Sequence, residues 1–463
     1  MPVTVFNYPV SKRQLILSLG DLFIINSSIF LSVIIRLGFI DGWIYMRDNP
    51  LSFLLTGLTF VLIFFFTELY DMRRDYTSIN TIITVIGASA TAFVIITFLF
   101  YVSWYLRIGR GVFAILCFLI TFFIIWWRIL YSYLLDQPMF NRNTVIIGAG
   151  QMGRFILQEI KQSRKTGLKI IGFLDDDVLK KDDMIDGIPV MGNRYTLSNG
   201  IHKYNIQLIV VAIAGEKHPD LIKLLIQCSW NGVDIVDVPT LYEQLTGKIP
   251  FYHVDDMWML QIVIGRSKLY GRLVKPVLET FFALILFVLF IPVMAVIALF
   301  VKIGSQGKVL YIQERIGKDN KRFKMIKFRT MAEDAELNTG AVYAADNDAR
   351  ITGIGRFLRK WRLDETPQLF NVIIGNMSLV GPRPERQVFI KEFEEAIPFY
   401  RQRLAVRPGL TGWAQVKYPY ASSIEQTKEK LQYDLYYIKN MCCLLDLVIL
   451  LKTVNVVLFG QGK

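Results

Sequence analysis

Four runs of apolar residues, at roughly 15–35, 50–69, 79–102 and 111–131, fill most of the first third of the chain. Each is close to the ~20 residues that a helix needs to cross a bilayer core. In lipid, backbone N–H and C=O groups must be satisfied within the segment, so these runs are predicted to be four spanning helices. No signal-peptide cleavage pattern follows Met1 to Gly20, so the first run is expected to be retained. Lys and Arg flank nearly every loop, at Lys12-Arg13, Arg36 and Arg47, Arg73-Arg74, and Arg107 and Arg110. With Lys12-Arg13 inside, an even number of spans leaves everything after residue 131 in the cytoplasm. Asp21 lies in the first span and is either a functional group or a polar side chain turned into the bundle.

The spans are not the whole protein. Of 463 residues, 53% are hydrophobic and 20% charged. That is too apolar for a soluble chain and too charged for a bundle of spans alone. The formal net charge of +13 reads as cytoplasmic Lys and Arg beside an anionic leaflet. No nucleic-acid-binding motif accompanies it, and no nucleic-acid partner is expected. Cys117, Cys228, Cys442 and Cys443 have no metal-site spacing and suggest a reducing compartment.

Residues 143–154 read as a buried strand, a glycine turn and a helix start, with Gly148, Gly150 and Gly153 in the G-x-G-x-x-G pattern. A second strand, Leu168 to Leu174, leads into Asp175-Asp176-Asp177, where Asp175 is placed to meet a ribose hydroxyl. Further strands are predicted at 208–213 and 233–238. This is a Rossmann-like α/β domain, either nucleotide-binding or a scaffold whose glycines only pack helix on strand. The one Tyr-x-x-x-Lys arrangement starts at Tyr8 in the N-terminal tail, which disfavours a short-chain reductase or dehydratase.

A fifth apolar segment, 276–301, is long enough to span but contains Glu279 and Pro292 and has basic flanks on both sides, Arg272 and Lys275 before, Lys302 and Lys308 after. A crossing helix would carry that charge mainly on one side. A re-entrant helix, broken at Pro292, is therefore expected, and it keeps the C-terminal third in the cytoplasm.

That third is rich in Lys and Arg. All three His (202, 218, 253) lie before it, and no Cys falls between 229 and 441. Serine-histidine, cysteine-histidine and His/Cys zinc chemistry are thereby excluded from it. Carboxylates, phosphate oxygens and Mg²⁺ remain. Three segments are candidates for one site: residues 323–331 with Lys327 and Arg329, residues 359–371 with Arg359 and the pair Asp364-Glu365, and residues 379–385, where two prolines fix the backbone around Arg383. Arginines of this kind suit phosphate, and a carboxylate among cations suits attack on a diphosphate. Residues 355–363 mix bulky apolar and basic side chains, as on a helix at a bilayer surface. The apolar tail from Cys442 to Phe459 carries Asp446 and Lys452 and is predicted to be an interfacial helix.

Six stretches occur in order over most of 263–463: Tyr311 to Gly317, Lys327-Phe-Arg-Thr-Met331, Leu363 to Val372, Gly375 to Glu385, Val406 to Gly412 and Tyr433 to Ile438. On these the chain resembles the bacterial polyprenyl-phosphate phosphoglycosyl transferases of the long monotopic type, which initiate exopolysaccharide, capsule and O-antigen synthesis. The resemblance covers the whole chain. It implies a four-helix transmembrane bundle over 1–140, a Rossmann-like cytoplasmic domain over 141–262 and a monotopic α/β catalytic domain over 263–463. It also implies a multi-pass protein of the bacterial inner membrane with its catalytic domain on the cytoplasmic face.

In chemical terms the resemblance implies that Asp364 attacks the β-phosphorus of a UDP-sugar, UDP-glucose or UDP-galactose, and expels UMP. Undecaprenyl phosphate then takes the sugar phosphate from the aspartyl intermediate. Mg²⁺ would be held at Asp364 and Glu365, with Arg359 and Arg383, and less directly Lys327 and Arg329, on phosphate. Membrane lipids are expected partners and a homodimer is compatible with the surface available. Two other functions fit the front half alone: a membrane-bound nucleotide-sugar oxidoreductase or dehydratase using the glycine turn, and a non-enzymatic membrane sensor.

Overall fold

The computed structural model describes residues 3–5, 8–10, 12–71, 74–136, 141–163, 167–213, 215–250, 269–332, 348, 350–418 and 423–458. Its contacts divide the chain into two compact units, essentially 9–241 and 242–463.

The first unit opens with the helices α1 (Lys12–Leu37), α2 (Phe39–Asp48), α3 (Pro50–Phe66), α4 (Ile79–Val102) and α5 (Arg110–Asp136). The segments Arg13–Leu37, Ile79–Val102 and Arg110–Leu134 are each long and apolar enough to cross a membrane. The second predicted span, 50–69, corresponds to α3, which has 17 residues; it reaches the length to cross only together with α2, which precedes it at a bend of 83°. Pro50 starts α3, because a residue without an N–H loses nothing in a first turn. The inner faces meet in an apolar core that includes Ile25, Phe60, Leu116 and Ile124.

Asp21 is fully buried in this bundle and bonds Arg128 of α5 at 2.7 Å. The Arg128 guanidinium also lies 5.6 Å from the Tyr70 ring and 5.5 Å from the Tyr76 ring. Gly20 is required beside this pair, since a Cβ there would stand 2.3 Å from the Trp127 ring. Asp21 is thus the polar group turned into the bundle.

A six-stranded sheet follows, built from β1 (Arg142–Ile147), β2 (Leu168–Leu174), β3 (Met184–Ile185), β4 (Ile188–Gly192), β5 (Leu208–Val211) and β6 (Asp234–Asp237) in the order β3-β4-β2-β1-β5-β6. Only the β3–β4 pair is antiparallel. β1 is central, and the order reverses between β1 and β5 as in a doubly wound fold. Helices α6 (Gln151–Gln162), α7 (Thr196–Tyr204) and α8 (Pro219–Trp230) supply the crossovers, and α9 (Val238–Thr246) follows β6 directly.

The division between units falls inside α9, earlier than the boundary at 262/263, which lies outside the described residues together with His253. Residues 242–250 pack with the second unit. Glu243 bonds Lys439 and Asn440, each at 2.6 Å, the Trp413 indole donates to the Gly247 carbonyl at 3.0 Å, and Ile249 is fully buried in that unit's core. The sequence places them in the Rossmann-like domain, because nothing in their composition marks which core they join.

In the second unit α10 (Lys275–Gly304) is followed by the antiparallel pair β7 (Leu310–Ile316) and β8 (Arg322–Phe328), then α11 (Gly353–Lys360) and α12 (Gln368–Ile373). The short strand β9 (Ser378–Val380), α13 (Gln387–Ala396), β10 (Gly409–Thr411), α14 (Trp413–Lys417), α15 (Ile424–Asn440) and α16 (Cys443–Leu458) complete it, with β9 and β10 parallel. Pro292 does not break α10, which continues through it. A proline inside a helix removes one hydrogen bond and crowds the preceding turn, a local cost that this 30-residue helix carries without unwinding. The closing helix is also not simply interfacial: Leu445 and Ile449 of α16 are fully buried in the core, whereas Leu447 and Val454 are exposed. Met325 is a core residue.

The Asp21–Arg128 pair gives a test of the bundle. R128M is expected to leave an uncompensated buried carboxylate and to cost about 3–5 kcal/mol, with R128M/D21N recovering much of the loss. Thermal unfolding of the full-length protein in detergent measures this. Equal stability of R128M and wild type would contradict a paired interior aspartate.

Candidate active site

Every catalytic candidate from the sequence lies in the second unit. Thr352 caps α11, its hydroxyl accepting from the Gly355 N–H at 2.9 Å. Gly355 is dictated by packing, because a Cβ there would stand 2.1 Å from the Thr330 carbonyl. After α11 the chain turns at Arg362, which holds a left-handed conformation (φ 51°) that side chains other than glycine rarely adopt. A single 3₁₀ turn, Leu363–Glu365, then carries the two carboxylates into α12.

This turn is braced against β8 by Asn371 of α12, which is fully buried. Its side chain accepts from the Ile326 N–H at 3.1 Å and donates to the Lys324 carbonyl at 2.8 Å. It therefore completes the free edge of β8 as a further strand would, and it brings Lys327 of β8 near the acidic pair.

The two carboxylates have different surroundings. Glu365 is buried, with Arg383 Nη2 at 2.6 Å from Oε1 and Arg362 Nη1 at 3.7 Å from Oε2. Burial opposes its ionisation, but the charges of Arg383 and Arg362 outweigh that and hold its pKa below the ordinary range. Asp364 is equally buried, yet among the described residues it makes no hydrogen bond or ion pair. Burial and the neighbouring Glu365 charge push its pKa up, against the pull of Lys327, Arg359 and Arg383. One carboxylate is committed to arginine and the other is left for an incoming group.

The cations divide in the same way. Lys327 is depressed to about 8 by burial, partly offset by Asp364, and its ammonium lies 5.2 Å from the Tyr311 ring centre. Arg359 donates from Nε to the Thr330 hydroxyl at 2.9 Å. Arg329 stands elsewhere: its Nη2 donates to the Ser305 carbonyl at 3.0 Å and hydroxyl at 2.8 Å, so it closes the C-terminal end of α10.

A second set of charges, missed from the sequence as site residues, supports the Arg383 loop. Arg403, buried, donates from Nη2 to the Arg383 carbonyl at 2.9 Å and pairs with the buried Asp434 at 2.9 Å. Glu385, two residues after Arg383, lies 3.1 Å from Lys430 and 3.6 Å from Arg315. Burial opposes its ionisation, yet Lys430, Arg403 and Arg315 hold its pKa down to about 2. Glu385 and Asp434 stand inside quoted motifs, but a sequence does not say which charge pairs with which.

The other candidate set lies in the first unit. Gly148 (φ 108°) and Gly153 are required by packing, since Cβ atoms there would stand 2.5 Å from the Ala212 carbonyl and 2.1 Å from the Gly148 carbonyl. A Cβ on Gly150 would meet nothing within 4 Å. Asp175 does reach the turn, its Oδ2 accepting from the Ala149 N–H at 2.8 Å and lying 3.2 Å from Lys180. The structure brings these four residues together, with Asp175 satisfying a turn N–H itself.

Among the described residues, no cluster of three or more His, Cys, Asp or Glu is placed to hold a metal. Mg²⁺ typically takes one or two carboxylates and completes its shell with water and substrate phosphate. Asp364 fits that mode, whereas Glu365 faces arginine on both oxygens.

Comparison with known proteins agrees with this division of the chain. Residues 270–460 match the family described as bacterial sugar transferase, and residues 66–239 match a CoA-binding domain family. An uncharacterized sugar transferase of Haemophilus influenzae is 31% identical over 72% of each chain. The UDP-N-acetylgalactosamine-undecaprenyl-phosphate N-acetylgalactosaminephosphotransferase of Aeromonas hydrophila is 39% identical over 52% of this chain, and the alignment spans 56% of that relative. The UDP-glucose:undecaprenyl-phosphate glucose-1-phosphate transferase of Xanthomonas campestris pv. campestris is 28% identical over 70% of this chain and 68% of its own. Among solved structures, a Rex-family repressor is 17% identical over 27% of this chain and 68% of its own, with a TM-score of 0.21, from which nothing about function follows.

The Asn371 brace can be tested directly. N371A strands a backbone donor and an acceptor and is expected to cost about 2–4 kcal/mol in denaturant unfolding. N371D keeps the contact to the Ile326 N–H but sets an oxygen against the Lys324 carbonyl, so it should be no milder. Wild-type stability in N371D would contradict the brace.

Proposed function

The chain belongs to the bacterial sugar transferase family, and from that premise we propose that it moves a sugar 1-phosphate from a UDP-sugar to undecaprenyl phosphate through a covalent intermediate on Asp364. The observation that carries this reading is the asymmetry of the acidic pair. Glu365 is bonded to Arg383, whereas Asp364 is buried, makes no hydrogen bond or ion pair among the described residues and is surrounded by cationic charge.

In the first step a carboxylate oxygen of Asp364 forms a bond to the β-phosphorus of the donor, and the bond from that phosphorus to the α,β-bridging oxygen breaks. UMP leaves with the electron pair. In the second step a phosphate oxygen of the lipid acceptor attacks the same phosphorus and Asp364 departs as carboxylate. The products are UMP and undecaprenyl-diphospho-sugar. The positive charges of Lys327, Arg359 and Arg383 offset the charge that gathers on phosphate oxygen during both steps. Bound Mg²⁺, held through Asp364, would screen the diphosphate so that an anionic nucleophile can approach it. Glu365 acts by fixing Arg383 and not as the nucleophile.

Both halves of α10 pack on the catalytic unit. Ala283 is fully buried in its core and the Phe287 ring lies 6.4 Å from Phe370, while farther along Ile297 and Val301 cluster with Phe328 and Leu358. Most other large apolar residues of α10 are exposed. A helix that spanned ~30 Å of hydrocarbon would carry one end away from a unit on the opposite side. By length and apolarity the unbroken segment Tyr270–Gly304 could also cross a membrane; its packing on the catalytic unit in both halves favours a helix held on one side, with the catalytic unit on the cytoplasmic face of the inner membrane. The reaction is then the first membrane step of a bacterial surface glycan. Glucose and galactose are expected donor sugars, and the name of the Aeromonas relative adds N-acetylgalactosamine.

UMP release from a panel of these UDP-sugars, with undecaprenyl phosphate and Mg²⁺, tests the reading. D364N is expected to lose at least about 10³-fold in rate; wild-type rates in D364N would rule out the covalent role. The pH profile should be bell-shaped. Activity rises as Asp364 ionises, above the ordinary carboxylate range because burial and Glu365 raise its pKa, and falls as Lys327 deprotonates near 8. K327R, which stays charged, should keep the acid limb and lose the alkaline one. An unchanged alkaline limb in K327R would assign that limb to another group.

A further inference from the structure

Glu279 is the single acidic residue in the apolar run 277–301. Both of its oxygens are turned into protein. Oε2 accepts from the Ser378 hydroxyl at 2.5 Å and Oε1 from the Val380 backbone N–H at 3.1 Å. Lys275, one helical turn earlier and itself buried, lies 2.8 Å from Glu279 Oε1 and 2.7 Å from Asp446 Oδ2. The Tyr437 hydroxyl closes the cluster, 2.8 Å from Asp446 Oδ1 and 3.0 Å from the Val380 carbonyl.

Holding an apolar helix against a protein core needs only apolar contact, which Ala283 already supplies. A carboxylate with only 12% of its side chain exposed is costly unless it is well paired. Here its contacts go to a three-residue strand, β9, and hold Val380 at the N–H while Tyr437 meets its carbonyl. Gly381, Pro382 and Arg383 come next. The fixed φ of Pro382 leaves little slack between Val380 and Arg383. The Gly381 N–H donates to the Thr411 carbonyl at 2.8 Å and the Pro382 carbonyl accepts from the Gly409 N–H at 2.9 Å, so a shift of α10 along its axis would reach the guanidinium that holds Glu365 by moving β9 together with β10.

We propose that Glu279 is a positioning residue for Arg383, so that the seating of the membrane helix sets the geometry of the phosphate-binding loop. The proposal rests on the transferase reading above for what Arg383 does. It makes turnover depend on how α10 is seated, with Glu279 as the link.

The experiment uses full-length protein in lipid nanodiscs and compares wild type, E279Q, E279A and S378A. UMP-release kinetics and hydrogen exchange of the peptide spanning 378–386 are measured on each. E279A is expected to lower kcat by about 10²-fold with little change in KM, the scale expected from a small misplacement of a catalytic group. E279Q keeps an oxygen for the Val380 N–H and should retain most of the rate. Exchange in E279A should quicken at 378–386 and stay as in wild type in the β1–β6 sheet and α15. Wild-type kcat in E279A, or quickened exchange spread evenly over the second unit, would overturn the proposal, the latter by marking a general anchor. If E279A does not accumulate, S378A should show the same kcat-selective loss at smaller amplitude, and wild-type kcat there overturns it. Exchange requires no turnover. Localised exchange in a chain that releases no UMP from any donor would uphold the positioning and overturn the transferase reading instead.

Discussion

The 2.6 Å contact between Arg383 and Glu365 organises the second unit's chemistry. Two adjacent carboxylates in one buried turn repel each other, and an unpaired pair would be driven toward sharing a proton. Committing Glu365 to arginine breaks that symmetry. It lets Glu365 stay ionised, fixes the arginine loop to the turn, and leaves Asp364 without a competing partner inside a cationic field. The acid-rich turn, the proline-fixed loop and the strand carrying Lys327 are separate in sequence and become one site through this contact and the Asn371 brace.

The supporting charges are arranged behind that contact. Arg403 holds the Arg383 carbonyl and takes its own counterion from Asp434, while Lys430 and Arg315 satisfy Glu385. Each ion pair in this group is largely removed from water, where losing one partner is far more damaging than losing a surface salt bridge. From the membrane side Glu279 and Lys275 reach the strand that leads into the same loop. The loop is thus held on one side by α15 and on the other by α10.

Much of this was legible in the sequence, for identifiable reasons. Span length exposed α1, α4 and α5, and an apolar run leading into a glycine turn exposed the β1–β2 unit, because those signals are local. The acidic pair stood out because its region contains no His or Cys to do competing work. Pairing was not legible: nothing in the order of residues says that Arg383 takes Glu365 and not Asp364, or that Arg329 serves Ser305. The bend at Asn49 between α2 and α3, the continuity of α10 through Pro292 and the membership of 242–250 in the second unit also depend on tertiary packing, which outweighs local composition.

The central claim is that Asp364, not Glu365, carries the sugar phosphate. Incubating the full-length enzyme with a UDP-sugar and Mg²⁺ in the absence of lipid acceptor, quenching in acid and mapping the mass increase by peptide mass spectrometry tests it most directly. The account predicts one sugar-phosphate adduct, on Asp364, that disappears when undecaprenyl phosphate is added. An adduct on Glu365, or UMP released at full burst amplitude with no adduct on the protein, would contradict it.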